Sequence, residues 1–295
     1  MFDSIENRAV AALLGASFLF GATFVVVKSA LETIEPLSFI SWRFLIGGLL
    51  LAALALPRGV TLWRHGTLAG LALFSGYALQ TLGLEFTTAG NSALITGLYV
   101  VITPFLAALF SRRAPSPWVV AGAAAAFAGV ALLTGADGLS LETGELLTIG
   151  CALGFATHIV LLARYAHRHP IVPFTTVQLA ITAALSAVSS WIFESGPGIP
   201  DRSVWGAIAL TSVGVTVGAY LLQIWSQTVV GAATAAIVLS AEPAFGVATA
   251  WVVLGERLSF QGWLGAGLIV AAIYLVVTRQ RDETSREAEA VTPAH

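Results

Sequence analysis

Long apolar runs alternate with short polar breaks along almost the whole chain. The runs fall at about 9–31, 37–56, 66–86, 91–110, 117–134, 144–165, 172–193, 204–226, 232–254 and 260–278. Each is close to the roughly 20 residues that a helix needs to cross a hydrocarbon core of about 30 Å. Pro36, Pro57, Pro115, Pro117, Pro170, Pro173, Pro197 and Pro200 stand at or near the breaks. A residue with fixed φ and no N–H punctuates helices there at least cost. The pattern therefore predicts an all-α membrane protein of ten transmembrane helices. From Arg279 onward the chain is polar without periodicity, so residues 280–295 are expected to form a disordered cytoplasmic tail.

Composition supports lipid as the solvent. Of the 295 residues 57% are hydrophobic and only 10% charged, against about 25% charged in soluble domains. Ten crossings leave short loops and tails and no room for a separate soluble domain. The net charge of −2 points to no charged partner. Cys151 is the single cysteine, so no intrachain disulfide can form. Met1 to Arg8 lack the n-region, short h-region and cleavage site of a signal peptide, and the first apolar run is expected to be retained.

Charge placement orients the spans. With a cytoplasmic N-terminus, the inner segments hold Arg8, Arg58, Arg64, Arg112, Arg113, Arg164, Arg168, Arg279, Arg281 and Arg286, while the outer segments hold Lys28, Arg202 and Arg257. Ten against three is a strong positive-inside bias. It predicts an inner-membrane, multi-pass protein with both termini cytoplasmic. The chain also repeats itself. Phe20-Gly21-Ala22-Thr23-Phe24-Val25-Val26 lines up with Phe155-Ala156-Thr157-His158-Ile159-Val160-Leu161 at an offset of 135, which also pairs Gly15 with Gly150 and Arg43 with Gln178. Ser92-Ala93-Leu94-Ile95 resembles Thr234-Ala235-Ala236-Ile237, and Trp118 resembles Trp263. The expected domains are residues 1–138 and 139–279. With five spans each, the second must lie inverted, a plan recurrent in secondary transporters with substrate bound where the repeats meet.

Several passages carry a family resemblance. In the first half they are Leu19-Phe20-Gly21-Ala22-Thr23-Phe24, Gly83-Leu84-Glu85-Phe86-Thr87-Thr88-Ala89-Gly90 and Thr96-Gly97-Leu98-Tyr99-Val100-Val101-Ile102-Thr103-Pro104. In the second they are Leu222-Gln223-Ile224-Trp225-Ser226-Gln227, Glu242-Pro243 and Leu254-Gly255-Glu256-Arg257-Leu258-Ser259. Over nearly its whole length the chain resembles the EamA-like branch of the drug/metabolite transporter superfamily. One departure is that Ser111-Arg112-Arg113 stands where the second half keeps Gly-Glu-Arg. The resemblance implies a ten-helix fold with alternating access to a central cavity, lined by the first four helices of each half. It also implies a cargo among amino acids, sugars, nucleotide-sugars or drugs.

Ionisable groups deep in lipid cost about 2.5–3.5 kcal/mol on insertion scales and mark function by default. Glu242 lies about ten residues into its span, near the midplane by a rise of about 1.5 Å per residue, and Pro243 loosens the helix beside it. Arg43 lies within the second span and His158 within the sixth. Glu242 reads as a cavity carboxylate and proton carrier or as a protonated cap on a broken helix. Arg43 reads as a substrate contact or a snorkelling side chain. His158 reads as a substrate contact or a bond between helices. The remaining candidate cavity residues are Thr23, Trp42, Tyr77, Gln80, Tyr99 and Thr103, with Gln223 and Gln227, which share one helix face. Pro104 and Pro243 are the candidate helix breaks for gating, and Trp225 is expected to face lipid. Glu256 and Arg257 read as a solvated or capping pair at an outer helix end. Gly122, Ala126 and Gly129 in the fifth span, and Gly262 and Ala266 in the tenth, are spaced for close helix packing, within the chain or as a homodimer face.

An intramembrane enzyme is the remote alternative. The chain has no H-E-x-x-H and no G-x-S-x-G, and its aspartates Asp3, Asp137, Asp201 and Asp282 all fall outside the spans. His167-Arg168-His169 reads as a basic turn, so no metal, cofactor or nucleic-acid partner is expected. The expected partners are the bilayer and a small organic molecule. Efflux of an amino acid or related metabolite comes first. Uptake, or facilitative exchange of a sugar, nucleotide-type or other metabolite, is the alternative.

Overall fold

The computed structural model describes residues 5–111, 117–133, 142–230, 235, 238, 239 and 241–291. Its elements are helices: α1 (Ile5–Ala30), α2 (Pro36–Leu54), α3 (Val60–Phe86), α4 (Ala89–Thr96), α5 (Tyr99–Ser111), α6 (Pro117–Leu133), α7 (Thr143–Tyr165), α8 (Ile171–Phe193), α9 (Trp205–Val229), α10 (Glu242–Leu254) and α11 (Phe260–Val291). Among the described residues seven helices are long and apolar enough to cross a membrane, with α4 and α5 acting as one of them. Glu242–Leu254 and Phe260–Ala272 are shorter apolar helices. The protein is an all-helical, multi-pass membrane protein.

Local chemistry sets the helix ends. Pro36 starts α2, where its missing N–H costs nothing. The Thr88 side chain accepts from Asn91 N at 3.1 Å and caps α4. Gly255, at φ 69°, takes the left-handed position that ends α10. Two helices depart from α geometry inside the bundle. α9 winds as a wider π-type turn from Thr211 to Ala219 before regaining α form at Tyr220. Between α4 and α5 the chain breaks at Gly97, which lies against the Pro243 ring so closely that a Cβ there would overlap it. Pro104 sits within α5 and donates nothing, while Thr103 Oγ1 donates to the Tyr99 carbonyl at 2.6 Å. The two prolines singled out from the sequence thus frame this break.

Packing runs mainly between early and late helices. α3 lies along α7 and α8, α2 along α8 and α9, α1 along α9 and α10, α4 along α10, α5 along α7, and α6 along α11. Side chains clasp one end of the bundle. The Glu194 carboxylate accepts from Leu37 N at 2.7 Å and Ser38 N at 2.9 Å, at the start of α2. The Glu256 carboxylate accepts from Ala89 N at 3.0 Å and Gly90 N at 2.9 Å, at the start of α4. Glu35 accepts from Ser195 N at 3.0 Å, and Lys28 donates to the Leu84 and Thr87 carbonyls. Charge-assisted bonds to helix N-termini are among the stronger hydrogen bonds a protein makes.

One expectation changes. The helix α11 continues to Val291, so residues 280–291 are helical and not an unstructured tail, while 292–295 lie outside the described residues. The small-residue stripes lie on α6 and α11, which pack against each other within the chain: a Cβ on Gly129 would lie 2.7 Å from Ile269 Cγ1 and 2.8 Å from the Gly265 carbonyl. Trp225 is half-buried against the core. Arg112, Arg113 and Asp137 lie outside the described residues.

Candidate functional site

A cavity of about 40 Å³ lies between α1 and α3 on one side and α7, α9 and α10 on the other. At about 10–15 Å³ per water it has room for roughly three water molecules. Thr23 on α1, Tyr77 and Gln80 on α3, Tyr99 at the start of α5, His158 on α7, Gln223 on α9 and Glu242 at the start of α10 all line it. Seven of the residues singled out from the sequence are therefore brought together from six helices.

Glu242 is buried and accepts from the Tyr99 hydroxyl at 3.1 Å. The same hydroxyl lies 2.9 Å from the Leu239 carbonyl, so Tyr99 anchors the entry to α10 from the other half of the chain. His158 Nε2 is 2.8 Å from Gln178 Oε1, while the Gln178 amide nitrogen donates to the Phe174 carbonyl at 3.1 Å. That second bond leaves Oε1 as the acceptor and makes Nε2–H the donor, so His158 is a bond between helices as well as a wall of the cavity. Gln80 Nε2 reaches Thr96 Oγ1 at 3.4 Å, and Gln223 Nε2 donates to Gln227 Oε1 at 3.2 Å. The Thr23 hydroxyl is turned back onto the Leu19 carbonyl one turn earlier.

Other candidates stand outside the cavity wall. Arg43 is fully buried one layer behind it, with Nε donating to Thr216 Oγ1 at 2.8 Å and Nη2 to the Tyr77 hydroxyl at 3.3 Å. Its guanidinium lies 4.7 Å from the Tyr77 ring centroid, so that ring stands between the charge and the cavity. Arg43 and Glu242 are thus held by different partners. Trp42 packs edge-on against Trp205 and donates to the Gly198 carbonyl at 2.8 Å. It borders a separate apolar groove between α2 and α8. Gln227 supports Gln223 from behind, and Thr157 bonds the Leu153 carbonyl away from the site.

Several positions in the cavity wall escape the sequence reading. Tyr220 lines the cavity and donates to the Tyr77 hydroxyl at 3.2 Å. Phe20, Phe24 and Phe155 add three more rings to the wall. A signal for Tyr220 exists, since Tyr77-Ala78-Leu79-Gln80 recurs as Tyr220-Leu221-Leu222-Gln223 at a separation of 143. Gln178 was visible as the repeat partner of Arg43, but nothing in the sequence shows that it holds His158.

Long apolar helices thus close around a small cavity lined by aromatic and polar side chains. The chain belongs to the EamA-like transporter family, whose pattern matches residues 7–135 and again residues 142–278. It is similar to an uncharacterized transporter of Archaeoglobus fulgidus, 32% identical over 263 residues, covering 89% of this chain and 83% of the relative. The uncharacterized transporter YvbV of Bacillus subtilis is 29% identical over 292 residues, covering 94% and 93%. The uncharacterized inner membrane transporter YedA of Escherichia coli (strain K12) is 27% identical over 285 residues, covering 91% and 92%. A solved crystal structure superposes with a TM-score of 0.65 at 25% identity, over 92% of this chain and 98% of the other.

Proposed function

We propose that the protein is a secondary transporter that moves a small organic metabolite, an amino acid or related compound, across the inner membrane by alternating access. In this reading residues 1–138 and 139–279 are two five-helix repeats of opposite orientation, with ten crossings and both termini cytoplasmic. The observation that carries it is the two-sided construction of the cavity, with α1, α3 and the start of α5 facing α7, α9 and α10. The packing pattern supports the repeat. If α1 exchanges with α7, α2 with α8, α3 with α9, the α4–α5 pair with α10, and α6 with α11, the main contacts between helices map onto one another. The α3–α7 contact becomes α9–α1, α3–α8 becomes α9–α2, and α1–α10 becomes α7 with the α4–α5 pair. The α2–α8, α6–α11 and α4–α10 contacts map onto themselves. An odd number of spans per repeat makes such an exchange an inversion across the membrane.

Substrate then enters when the helices part at one end, and leaves when they part at the other. The cavity as it stands has room for water and not for a metabolite, so the helices must part further to admit cargo. The clasped end, where Glu194 and Glu256 hold α2 and α4, is the outer face if the arginine bias sets orientation. Efflux is the favoured direction of net flow, and Glu242 is the group placed to exchange a proton for cargo.

Counterflow in proteoliposomes tests the reading. Purified protein, preloaded in turn with members of a panel of unlabelled amino acids, amines and organic acids, should accumulate the matching labelled compound transiently, and empty liposomes should not. Failure of the whole panel with folded protein would remove the transport assignment for this class of cargo.

A further inference from the structure

The cavity has an unusual balance of chemistry for its size. Among the described residues its wall holds one carboxylate, Glu242, and six aromatic rings, from Phe20, Phe24, Tyr77, Tyr99, Phe155 and Tyr220, with no lysine or arginine. We propose that the site selects protonated aromatic amines, a cation carried on an apolar ring, over zwitterions and anions. This rests on the transport reading above in taking the cavity as the cargo site, and it narrows the cargo from amino acids and related compounds to the amines among them.

Hydrogen-bonding capacity leaves room for an ammonium. Glu242 Oε2 accepts from Tyr99, and among the described residues Oε1 has no hydrogen-bond partner, so one carboxylate oxygen is left for a ligand. Gln80 and Gln223 each spend one amide N–H, on Thr96 and Gln227 respectively, and keep the other N–H and the carbonyl oxygen. His158 spends its Nε2–H on Gln178. The hydroxyl of Tyr77 receives Arg43 and Tyr220 and keeps its own O–H. The wall therefore offers neutral donors and acceptors together, with Glu242 as its carboxylate, which suits an ammonium with three N–H donors and gives a ligand carboxylate neutral donors but no cation. Ring faces supply cation–π attraction, and the rings as a whole give apolar cover for the body of the ligand.

Among the described residues the nearby cations are Lys28, which is spent on the Leu84 and Thr87 carbonyls, and Arg43, whose position argues against anion capture. It lies behind the Tyr77 ring, committed to Thr216 and to the Tyr77 hydroxyl. To reach a ligand carboxylate it would have to leave both partners and displace that ring. A zwitterionic amino acid would satisfy Glu242 with its ammonium but bring a second carboxylate beside it with no cation in the described wall to meet it.

Four compounds with one ring and different charge separate the possibilities: phenethylamine, phenylalanine, 3-phenylpropionate and 2-phenylethanol. Binding to the purified full-length protein in detergent is read by ligand-induced thermal shift and by titration calorimetry. Phenethylamine should bind at least tenfold more tightly than any of the other three. Glu242→Gln should weaken phenethylamine at least tenfold while changing 2-phenylethanol less than threefold, and Phe24→Leu should weaken phenethylamine severalfold. Equal or tighter binding of 3-phenylpropionate or phenylalanine overturns the proposal, as does no detectable phenethylamine binding at millimolar concentration. The wild-type ranking decides the matter even if Glu242→Gln does not fold. Amine binding without counterflow would remove the transport reading and leave the ligand class standing. Counterflow of an acid or amino acid with no amine binding would do the reverse.

Discussion

The hydroxyls of Tyr77 and Tyr220 meet at 3.2 Å where α3 and α9 face one another across the cavity, and Arg43 donates to the same Tyr77 oxygen from behind at 3.3 Å. One phenol oxygen thus ties together α2, α3 and α9. Tyr77→Phe removes the acceptor for two donors, one of them charged, whereas Tyr220→Phe removes a single neutral donor. A bond to a charged group is worth about 1.5–3 kcal/mol and a neutral one about 0.5–1.5 kcal/mol. Thermal unfolding in one detergent should therefore place Tyr77→Phe clearly below Tyr220→Phe, and both below wild type. Equal melting temperatures for the two variants would mean that the Arg43 contact contributes nothing.

Glu194 and Glu256 clasp different helices at the same end of the bundle, and their effects should be separable. Glu256→Gln keeps shape but loses the charge and one of two acceptor positions on Ala89 N and Gly90 N. Hydrogen–deuterium exchange should speed up in a peptide covering residues 89–96 and stay unchanged over 36–44. Glu194→Gln should give the opposite pattern, since its carboxylate holds Leu37 N and Ser38 N. Exchange that rises equally in both peptides would mean a global loosening instead.

The contact between α6 and α11 is structural. Gly129→Ala places a methyl group 2.7 Å from Ile269 Cγ1 and 2.8 Å from the Gly265 carbonyl oxygen, and the backbone atom cannot move aside cheaply. Overpacking of this kind costs about 1–3 kcal/mol. Expression or melting temperature should fall, while ligand affinity of the folded fraction should match wild type, since neither helix lines the cavity. A large change in affinity at full stability would bring α6 into the transport path.

At the opposite end of the bundle His65 Nδ1 and His169 Nε2 lie 2.9 Å apart, with His65 stacked on Tyr165. One nitrogen must donate and the other accept, so the bond fails once both rings are protonated. Burial first, and then the charges of Arg168 and His167, hold His169 below its ordinary value of 6.5. A base lowered by folding binds fewer protons folded than unfolded as pH falls below 6.5. The stability it contributes is present above 6.5 and lost on acidification. The melting temperature of wild type relative to His169→Gln should therefore shrink between about pH 7.5 and about pH 5. A difference independent of pH would remove His169 from the account.

Much of this architecture was legible in the sequence, for physical reasons. A lipid solvent forces apolar runs of fixed length, so α1, α2, α3, α7, α8 and α9 fall close to the expected spans. Deep polar residues are costly enough to be conspicuous, and so Glu242, His158, Gln80 and Tyr99 stood out and converge on one cavity. The layering around the cavity was not legible. Depth along a span places Arg43 at the right level, but nothing local reveals that Tyr77 covers it. Phe20, Phe24 and Phe155 look like any lipid-facing ring until the fold turns them inward. The clasp at Glu256 was visible as a possible helix cap, but its partner lies 167 residues away, across the seam between early and late helices. The polar composition after Arg279 suggested no structure, yet α11 carries on to Val291.

Alternation of access to the cavity is the claim on which the rest depends, and one cysteine can test it. Thr23→Cys on a Cys151→Ala background puts a thiol in the cavity wall. Its modification by an impermeant reagent is then followed in right-side-out and in inverted membrane vesicles. The thiol should react from both sides. Adding Glu256→Gln, which weakens the clasp, should raise the rate from the clasped side and lower it from the other. Reaction from one side only, or rates that rise together on both sides as in an open channel, would contradict the account.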